Sequence, residues 1–170
     1  MTGYMKSRAR LDVAVAGGGV VGAACALALA RAGLDVALVE ARPVPRWLAE
    51  QPDLRVYALA PDNAALLDAL GVWPQVVRAR AQPYRKMRVW DAGGGDELAF
   101  DAATLARDEL GWIVENGLLV DRLWAALVAA GVQVHCPARV QGMEQDEAGV
   151  RLQLDDGTRL EARVAVAADG

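Results

Sequence analysis

The residues LDVAVAGGGVVGAACALALARAGLDVALVE, positions 11–40, decide the fold of this chain. Leu11–Ala16 is a short apolar run typical of a buried strand, and Val20–Ala32 is rich in Ala and Leu, as helices are. Gly33 is expected to end that helix, and Asp35–Val39 forms a second strand that leads into Glu40. The stretch therefore predicts a β-α-β unit built around the glycine pattern G-x-G-x-x-G.

Each glycine of this pattern has a physical role. Gly17 allows the turn from strand to helix, Gly19 lets a pyrophosphate approach the backbone because it has no Cβ, and Gly22 lets the helix pack closely on the strand. The helix N-terminus, with Val20 and Val21 in its first turn, offers unpaired amides and the positive end of the helix dipole to phosphates. The pattern predicts dinucleotide binding, and by itself it does not separate FAD from NAD.

An acidic residue stands where a ribose-binding group is expected. Glu40 follows Gly17 by 23 positions, close to the roughly 20-residue spacing of the acid that accepts hydrogen bonds from a ribose. A carboxylate there suits a free 2′-hydroxyl and repels a 2′-phosphate, which favours FAD or NAD over NADP.

Two arginines follow in the proline-rich segment 41–57, which is predicted to be a loop. An arginine can bind a phosphate through two parallel hydrogen bonds, whereas the alternative for either residue is a surface cation. Arg55 is favoured as a functional residue because it lies between this loop and a predicted helix start. For Arg42 the two interpretations are evenly balanced.

Composition limits the classes of function. The chain has 170 residues, 54% of them hydrophobic, and a net charge of −4 without a basic block, which argues against nucleic acid as its main partner. The apolar run Val20–Ala30 is far shorter than the roughly 20 residues that span a bilayer, so no membrane span is predicted. The basic residues Lys6, Arg8 and Arg10 predict a solvated tail, with a weak membrane-surface contact as the alternative.

The chain offers few residues for metal or nucleophilic chemistry. Cys25 and Cys136 fit no metal or redox spacing, so they are interpreted as reduced core thiols of a cytosolic protein. His135 is the only histidine, which argues against a catalytic triad and against a histidine-rich metal site. We therefore predict no metal site and assign no catalytic residue.

The rest of the chain alternates short predicted helices and strands. A helix is predicted at Pro61–Leu70, a less regular stretch at Val72–Arg80, and a β-hairpin from Tyr84–Asp91 and Glu97–Phe100. An amphipathic helix at Leu118–Ala130 precedes a three-stranded antiparallel meander with strands at Arg139–Gln145, Gly149–Leu154 and Thr158–Ala167. The fold class is α/β, with a Rossmann-like parallel sheet and this meander. The chain closes on Ala168-Asp169-Gly170, so that the predicted domain looks cut off at its C-terminus.

With these residues in hand, the sequence resembles the flavoprotein aromatic hydroxylases of the p-hydroxybenzoate hydroxylase fold, and within them the ubiquinone-biosynthesis hydroxylases of the UbiH/UbiF/VisC group. The resemblance covers nearly the whole chain. Besides the glycine pattern with Glu40, it is carried by DLRVYALAP (53–61), LLDALGVWPQV (66–76), PYRKMRVWDAGG (83–94), LGWIVENGLLVDRLW (110–124) and the final ADG.

The resemblance implies further cofactor-binding positions. In that family FAD lies over the glycine pattern, with its adenosine at the acid that Glu40 matches. Arg55 matches an arginine near the FAD pyrophosphate and flavin, and Asn116 falls where a polar residue at the start of the long helix contacts FAD. The strand after that helix contacts adenine through its backbone, here at Arg139-Val140. Asp169 matches the aspartate of the family's Asp-Gly motif, which is linked to both FAD and reduced-nicotinamide use.

The resemblance also implies a chemistry. A reduced flavin would react with O₂ to give a C4a-hydroperoxide, which would transfer oxygen to an electron-rich aromatic ring such as a polyprenyl phenol, with NAD(P)H as co-substrate. Residues 81–115 would begin the β-rich substrate domain within the FAD-binding domain 1–170. The later Gly-Asp motif of the family and most of its substrate domain are absent from the sequence. A cytoplasmic location, peripheral to the inner membrane, would fit a polyprenyl substrate.

Other functions stay open at this point. A flavin disulfide reductase would need a nearby cysteine pair, and an NAD-dependent dehydrogenase would need a catalytic set that the sequence does not display. A non-catalytic FAD-binding fragment, or one half of a split flavoprotein that needs a partner chain for its C-terminal half, is the alternative to a working hydroxylase.

Overall fold

A computed structural model describes residues 10–44 and 46–170, so Lys6 and Arg8 of the basic tail lie outside the described residues. The chain divides into two compact units, one formed by the described residues 10–44 with 123–170 and the other by 46–122. In chain order the elements are β1 (Leu11–Ala16), α1 (Val20–Arg31), β2 (Val36–Val39), β3 (Val56–Leu59), α2 (Pro61–Ala69), α3 (Trp73–Arg80), β4 (Gln82–Tyr84), β5 (Lys86–Val89), β6 (Leu98–Asp101), β7 (Gly111–Glu115), α4 (Asn116–Ala129), β8 (Gln133–His135), β9 (Val140–Asp146), β10 (Gly149–Leu154) and β11 (Arg159–Ala167).

The first unit is built on a six-stranded sheet with strand order β8-β2-β1-β11-β10-β9. Strand β1 is paired in parallel on both sides, since Val13 lies opposite Val36 of β2 and Val164 of β11. Strands β9, β10 and β11 are antiparallel neighbours, which confirms the predicted meander. The predicted parallel sheet and the meander are therefore one mixed sheet, because β11 belongs to both.

Helix α1 lies against β1 and β2 through two alanines and a leucine. Ala23, Ala26 and Leu27 are fully buried, and all four residues of β2 are buried as well, as is usual for parallel strands that are covered on both faces. The predicted helix stop is also present, because Gly33 follows the last helical turn with a φ of 86°. This β-α-β unit and the sheet around it confirm the α/β fold class.

The second unit contains two small antiparallel sheets. One has the order β3-β7-β4, and the other is the predicted hairpin of β5 and β6. A short 3₁₀ helix at Ala102–Leu105 follows the hairpin. The unit, 46–122, has wider bounds than the segment 81–115, whose assignment to a substrate domain stays a prediction.

Two local predictions in this unit were wrong. Residues 73–80 form the regular helix α3, because Val76 is fully buried and the Trp73 ring packs edge-on against Trp112 at a centroid distance of 5.2 Å. The segment 41–57 is not a loop to its end, because β3 begins at Val56 and pairs with β7. In both places tertiary contacts decide a structure that local pattern leaves undecided.

Candidate dinucleotide-binding site

The loop between β1 and α1 consists of Gly17, Gly18 and Gly19, and close backbone contacts require glycine at Gly17 in this loop and at Gly22 in the first turn of α1. Gly17 has a φ of 107°, and a Cβ at this position would lie 2.4 Å from the carbonyl oxygen of Ala168. A Cβ on Gly22 would lie 2.0 Å from the carbonyl oxygen of Gly17. The tight turn and the close approach of helix and loop that the sequence predicts for these two glycines are therefore both present.

Gly19 is open where its neighbours are crowded. It caps the N-terminus of α1 with a φ of −68°, and a Cβ built on it meets nothing within 4 Å. Val20 and Val21 form the first turn behind it, and Val21 is 75% exposed. Because the first amides of a helix lack intrahelical partners and carry the positive end of its dipole, this surface suits a phosphate.

Glu40 lies beside the loop with its carboxylate held in place. Its Oε2 accepts a hydrogen bond from the Gly18 amide (2.7 Å), and its Oε1 accepts one from the Arg42 amide (2.8 Å). Its backbone is fixed as well, since its N–H donates to the carbonyl of His135 and its carbonyl accepts from Ala138. Burial alone would raise the pKa of Glu40, but the hydrogen bonds from Arg42 and Gly18 outweigh it and lower the pKa below its ordinary value.

An ionised carboxylate in this position can accept further hydrogen bonds. Each carboxylate oxygen has two lone pairs, so that one protein donor on each oxygen leaves capacity for the hydroxyls of a ribose. A second negative charge, such as a 2′-phosphate, would be repelled at the same place.

The other predicted residues of the first unit lie at three places around this loop. The Arg42 side chain is 79% exposed, with its Nε 3.6 Å from Oε1 of Glu40, which is a weak ion pair. Asp169 is exposed, and its amide nitrogen lies 2.6 Å from where a Cβ of Gly17 would be. Val140 begins β9, two residues after Ala138, whose amide bonds the backbone of Glu40.

Two residues at the loop were missed by sequence reasoning. Gly18 is buried, and a Cβ on it would lie 2.5 Å from Cζ2 of Trp124. The Trp124 indole Nε1 donates a hydrogen bond to the Gly18 carbonyl over 2.7 Å. The available signal was the third consecutive glycine, since the pattern G-x-G-x-x-G itself leaves position 18 unrestricted.

Arg55 and Asn116 lie together in the second unit. The backbone N–H of Asn116 donates to the backbone carbonyl of Arg55 (2.9 Å), and the Tyr57 hydroxyl donates to the side-chain Oδ1 of Asn116 (3.3 Å). Asp53 links them further, because its two carboxylate oxygens accept from the amides of Arg55 and Gly117, each at 2.9 Å. These two hydrogen bonds lower the pKa of Asp53, and they hold the backbone of Arg55 at the first turn of α4 while its side chain stays exposed.

A buried carboxylate at the end of β7 anchors the segment that leads to Arg55. Glu115 is 6% exposed and accepts from Arg80 Nη1 (2.6 Å), from Trp47 Nε1 (2.8 Å) and from the Asp53 amide (3.1 Å). Burial would raise the pKa of Glu115, but these hydrogen bonds lower it. The Trp47 ring also contacts the guanidinium groups of Arg80 and Arg122, each 5.5 Å from its centroid.

Residues 10–44 and 46–170 contain neither a metal-binding group nor a membrane-spanning helix. No group of His, Cys, Asp and Glu side chains there is arranged to hold a metal ion. None of the helices in these ranges combines the length and apolar character that a bilayer span needs.

Comparison with known proteins gives consistent results. The chain is 37% identical over 161 residues to 3-demethoxyubiquinol 3-hydroxylase of Escherichia coli (strain K12), covering 94% of this chain and 41% of that protein. It is 33% identical over 178 residues to the ubiquinone biosynthesis monooxygenase COQ6, mitochondrial, of Homo sapiens, covering 94% of this chain and 37% of that protein. The chain thus spans about two fifths of the length of these relatives.

The fold is shared with solved flavoenzymes. The crystal structure of the flavin-dependent monooxygenase PieE in complex with FAD and substrate matches with a TM-score of 0.73 at 25% identity, over 96% of this chain and 31% of that one. Among protein families, the FAD binding domain matches residues 10–170. Because this match covers nearly the whole sequence, the chain belongs to the FAD binding domain family.

Proposed function

We propose that this chain is the FAD-binding part of a monooxygenase that hydroxylates an aromatic ring, with polyprenyl phenols of ubiquinone biosynthesis as its substrate class. The observation that carries the proposal is the open N-terminus of α1 at Gly19 beside the buried, hydrogen-bonded carboxylate of Glu40. The names of the curated relatives support the substrate class.

The residues present fit FAD as the cofactor. The amides of Gly19, Val20 and Val21 would bind the pyrophosphate, and the Glu40 carboxylate would accept the hydroxyls of the adenosine ribose. Gly17 and Gly22 keep helix and loop close enough for that approach. When bound, FAD supplies the activation of O₂ and the transfer of an oxygen atom to the substrate, with electrons from NAD(P)H as co-substrate.

The remaining predicted residues have supporting roles in this proposal. Arg55, with its backbone fixed by Asp53, would present its guanidinium to a phosphate or to the flavin, and Asn116 would add a polar contact beside it. Arg42 would contribute positive charge near the pyrophosphate, Val140 a backbone contact to adenine, and Asp169 a contact at the turn that follows β11.

The spectrum of the purified chain tests the cofactor. We expect flavin bands in the visible range and FAD on denaturation. Gly19→Val should remove the bound flavin because a branched side chain would occupy the open approach. Gly142→Val is the matched control, because Gly142 lies in β9 with only Gln153 Cβ within 4 Å, at 3.9 Å, and it should bind FAD as the wild type does. Unchanged FAD affinity in Gly19→Val would contradict the assignment of the loop.

A second candidate is a non-catalytic FAD-binding fragment, or one half of a split flavoprotein. The chain spans 41% of the length of the Escherichia coli relative, so the activity of that whole protein is itself part of the proposal and needs a test. NAD(P)H oxidation by the flavin-loaded chain with a short-chain polyprenyl phenol distinguishes the two. Oxidation that depends on the phenol and yields a hydroxylated product supports the monooxygenase, whereas bound FAD without turnover supports the second candidate.

A further inference from the structure

Trp124, in the second half of helix α4, contacts the glycine loop 17–19. It is 4% exposed, and its indole N–H donates to the carbonyl oxygen of Gly18 over 2.7 Å. An indole has a single donor and no acceptor, so this contact uses its whole hydrogen-bonding capacity. Its ring also fills the space beside Gly18, where a Cβ would lie 2.5 Å from Cζ2.

The hydrogen bond fixes the direction of the next amide. The peptide bond between Gly18 and Gly19 is trans, and in a planar trans peptide the carbonyl and the following N–H point in opposite directions. With the Gly18 carbonyl held towards Trp124, the Gly19 amide must point away from the indole. The surroundings of Gly19 are open, since a Cβ built there meets nothing within 4 Å.

The loop needs such an external restraint. Three consecutive glycines make the most permissive backbone that a protein can have, so their own sterics do not select one orientation of each peptide plane. The amide of Gly18 is restrained by Oε2 of Glu40, and the carbonyl of Gly18 is restrained by Trp124. Both sides of this residue are thus held by side chains from elsewhere in the same unit.

We propose that Trp124 is a positioning residue for the phosphate site: its indole N–H sets the Gly18–Gly19 peptide plane so that the Gly19 amide is directed at the pyrophosphate of the bound dinucleotide. The proposal rests on the proposed function, since it assumes that a dinucleotide binds at this loop. Trp124 itself does not contact the phosphate and acts through Gly18.

Comparing ADP with adenosine isolates this role. ADP carries the pyrophosphate and adenosine lacks it, while both carry the ribose that Glu40 would bind. Trp124→Phe keeps an aromatic ring but removes the donor, and it should weaken ADP and FAD binding about tenfold, as expected for one lost hydrogen bond, with adenosine affinity unchanged. Trp90→Phe, at a tryptophan that is 69% exposed in the second unit, is the control and should change neither affinity.

The outcomes separate this proposal from the function on which it rests. A wild-type chain that binds neither ADP nor FAD contradicts the proposed function, and the positioning role falls with it. A wild-type chain that binds ADP, with Trp124→Phe binding it equally well, contradicts the positioning role alone. Parallel loss of ADP and adenosine affinity would also contradict it, because a general loosening of the fold affects both ligands.

An isosteric replacement guards against loss of folding. Benzothienylalanine at position 124 keeps the shape of indole but has sulfur in place of the N–H, so it should reproduce the phosphate-selective loss. In the ligand-free, ¹⁵N-labelled chain, the indole N–H proton of Trp124 should exchange more slowly with solvent than that of Trp90. Exchange of the two protons at equal rates would show that the hydrogen bond to Gly18 is not formed.

Discussion

Replacing Gly22 by alanine should push helix α1 away from the glycine loop 17–19. The added Cβ would lie 2.0 Å from the Gly17 carbonyl oxygen and 3.1 Å from the Ala168 Cβ. An ordinary carbon–oxygen contact is about 3.4 Å, so the helix and the loop would have to separate by more than 1 Å. Since the nearest atom is backbone, no side-chain rotation can relieve the overlap.

Two effects of opposite sign determine the size of the change. Overpacking of this kind costs about 3 kcal/mol, the upper end of its usual range. Alanine gains at most about 1 kcal/mol over glycine in helix propensity. The net loss is therefore about 2 kcal/mol in the free energy of unfolding, which for a chain of 170 residues lowers Tm by roughly 4–8 °C.

Urea unfolding followed by circular dichroism measures this loss, and Gly19→Ala is the matched control in the same motif. Nothing lies within 4 Å of a Cβ at Gly19 and its φ is −68°, so its stability should change by less than about 1 kcal/mol. Under the proposed function, the FAD affinity of Gly19→Ala should nevertheless fall, because the methyl group would enter the proposed approach of the pyrophosphate. A Gly22→Ala variant as stable as the wild type would refute the steric argument.

Three further perturbations test the carboxylates and the backbone. Glu40→Gln should reduce the free energy of unfolding at pH 7. Because the folded-state pKa of Glu40 is lowered, the wild type should lose this advantage in stability as the pH falls below about 4.5. Urea unfolding that gives the same stability difference between wild type and variant at pH 7 and at pH 3.5 would contradict this. Arg80→Met should lower the free energy of unfolding by about 2 kcal/mol, because it leaves the buried Glu115 without its cation. Arg88→Ala breaks an exposed ion pair and should lower it by less than about 1 kcal/mol. Equal losses of stability in calorimetry would show that burial does not set the difference. Ala106→Gly should raise Tm by about 2 °C, because Ala106 has a φ of 51° and glycine adopts this conformation without strain. A lower Tm would show that the extra chain entropy that glycine gives the unfolded state outweighs the relief of this strain.

The part of the structure that the sequence predicts best is local. Positions 11–40 contain strand, turn, helix, helix stop and second strand in one continuous stretch, and each boundary has its own residue signal, from Gly17 to Gly33. The three strands of the meander are likewise adjacent in sequence and separated by polar turns. Alternation and turn residues are sufficient for such elements, because the partners that complete them lie only a few residues away.

The remaining features depend on partners distant in the chain. Strand β3 is exposed along most of its length and is defined by its pairing with β7, so its own four residues hold little pattern. Helix α3 has a single fully buried residue, Val76. At the site, the hydrogen bond from Trp124 to Gly18 joins residues 106 positions apart, and no periodicity in either segment encodes it. The cofactor-binding roles of the site residues stay predictions.

The parallel pairing of β1 with β11 has a consequence for the order in which this protein is made. Leu11 lies opposite Ala162, and Gly17 packs on Ala168. At a synthesis rate of about 5–20 residues per second, the ribosome needs on the order of ten seconds to reach β11 after β2 has been made. During that interval one edge of β1 has no native partner, and a free strand edge is a template for pairing with other chains. The nascent protein therefore passes through a stage in which this edge of β1 is exposed to other chains, and the turn at Gly17 obtains its contact with Ala168 only after β11 has been made.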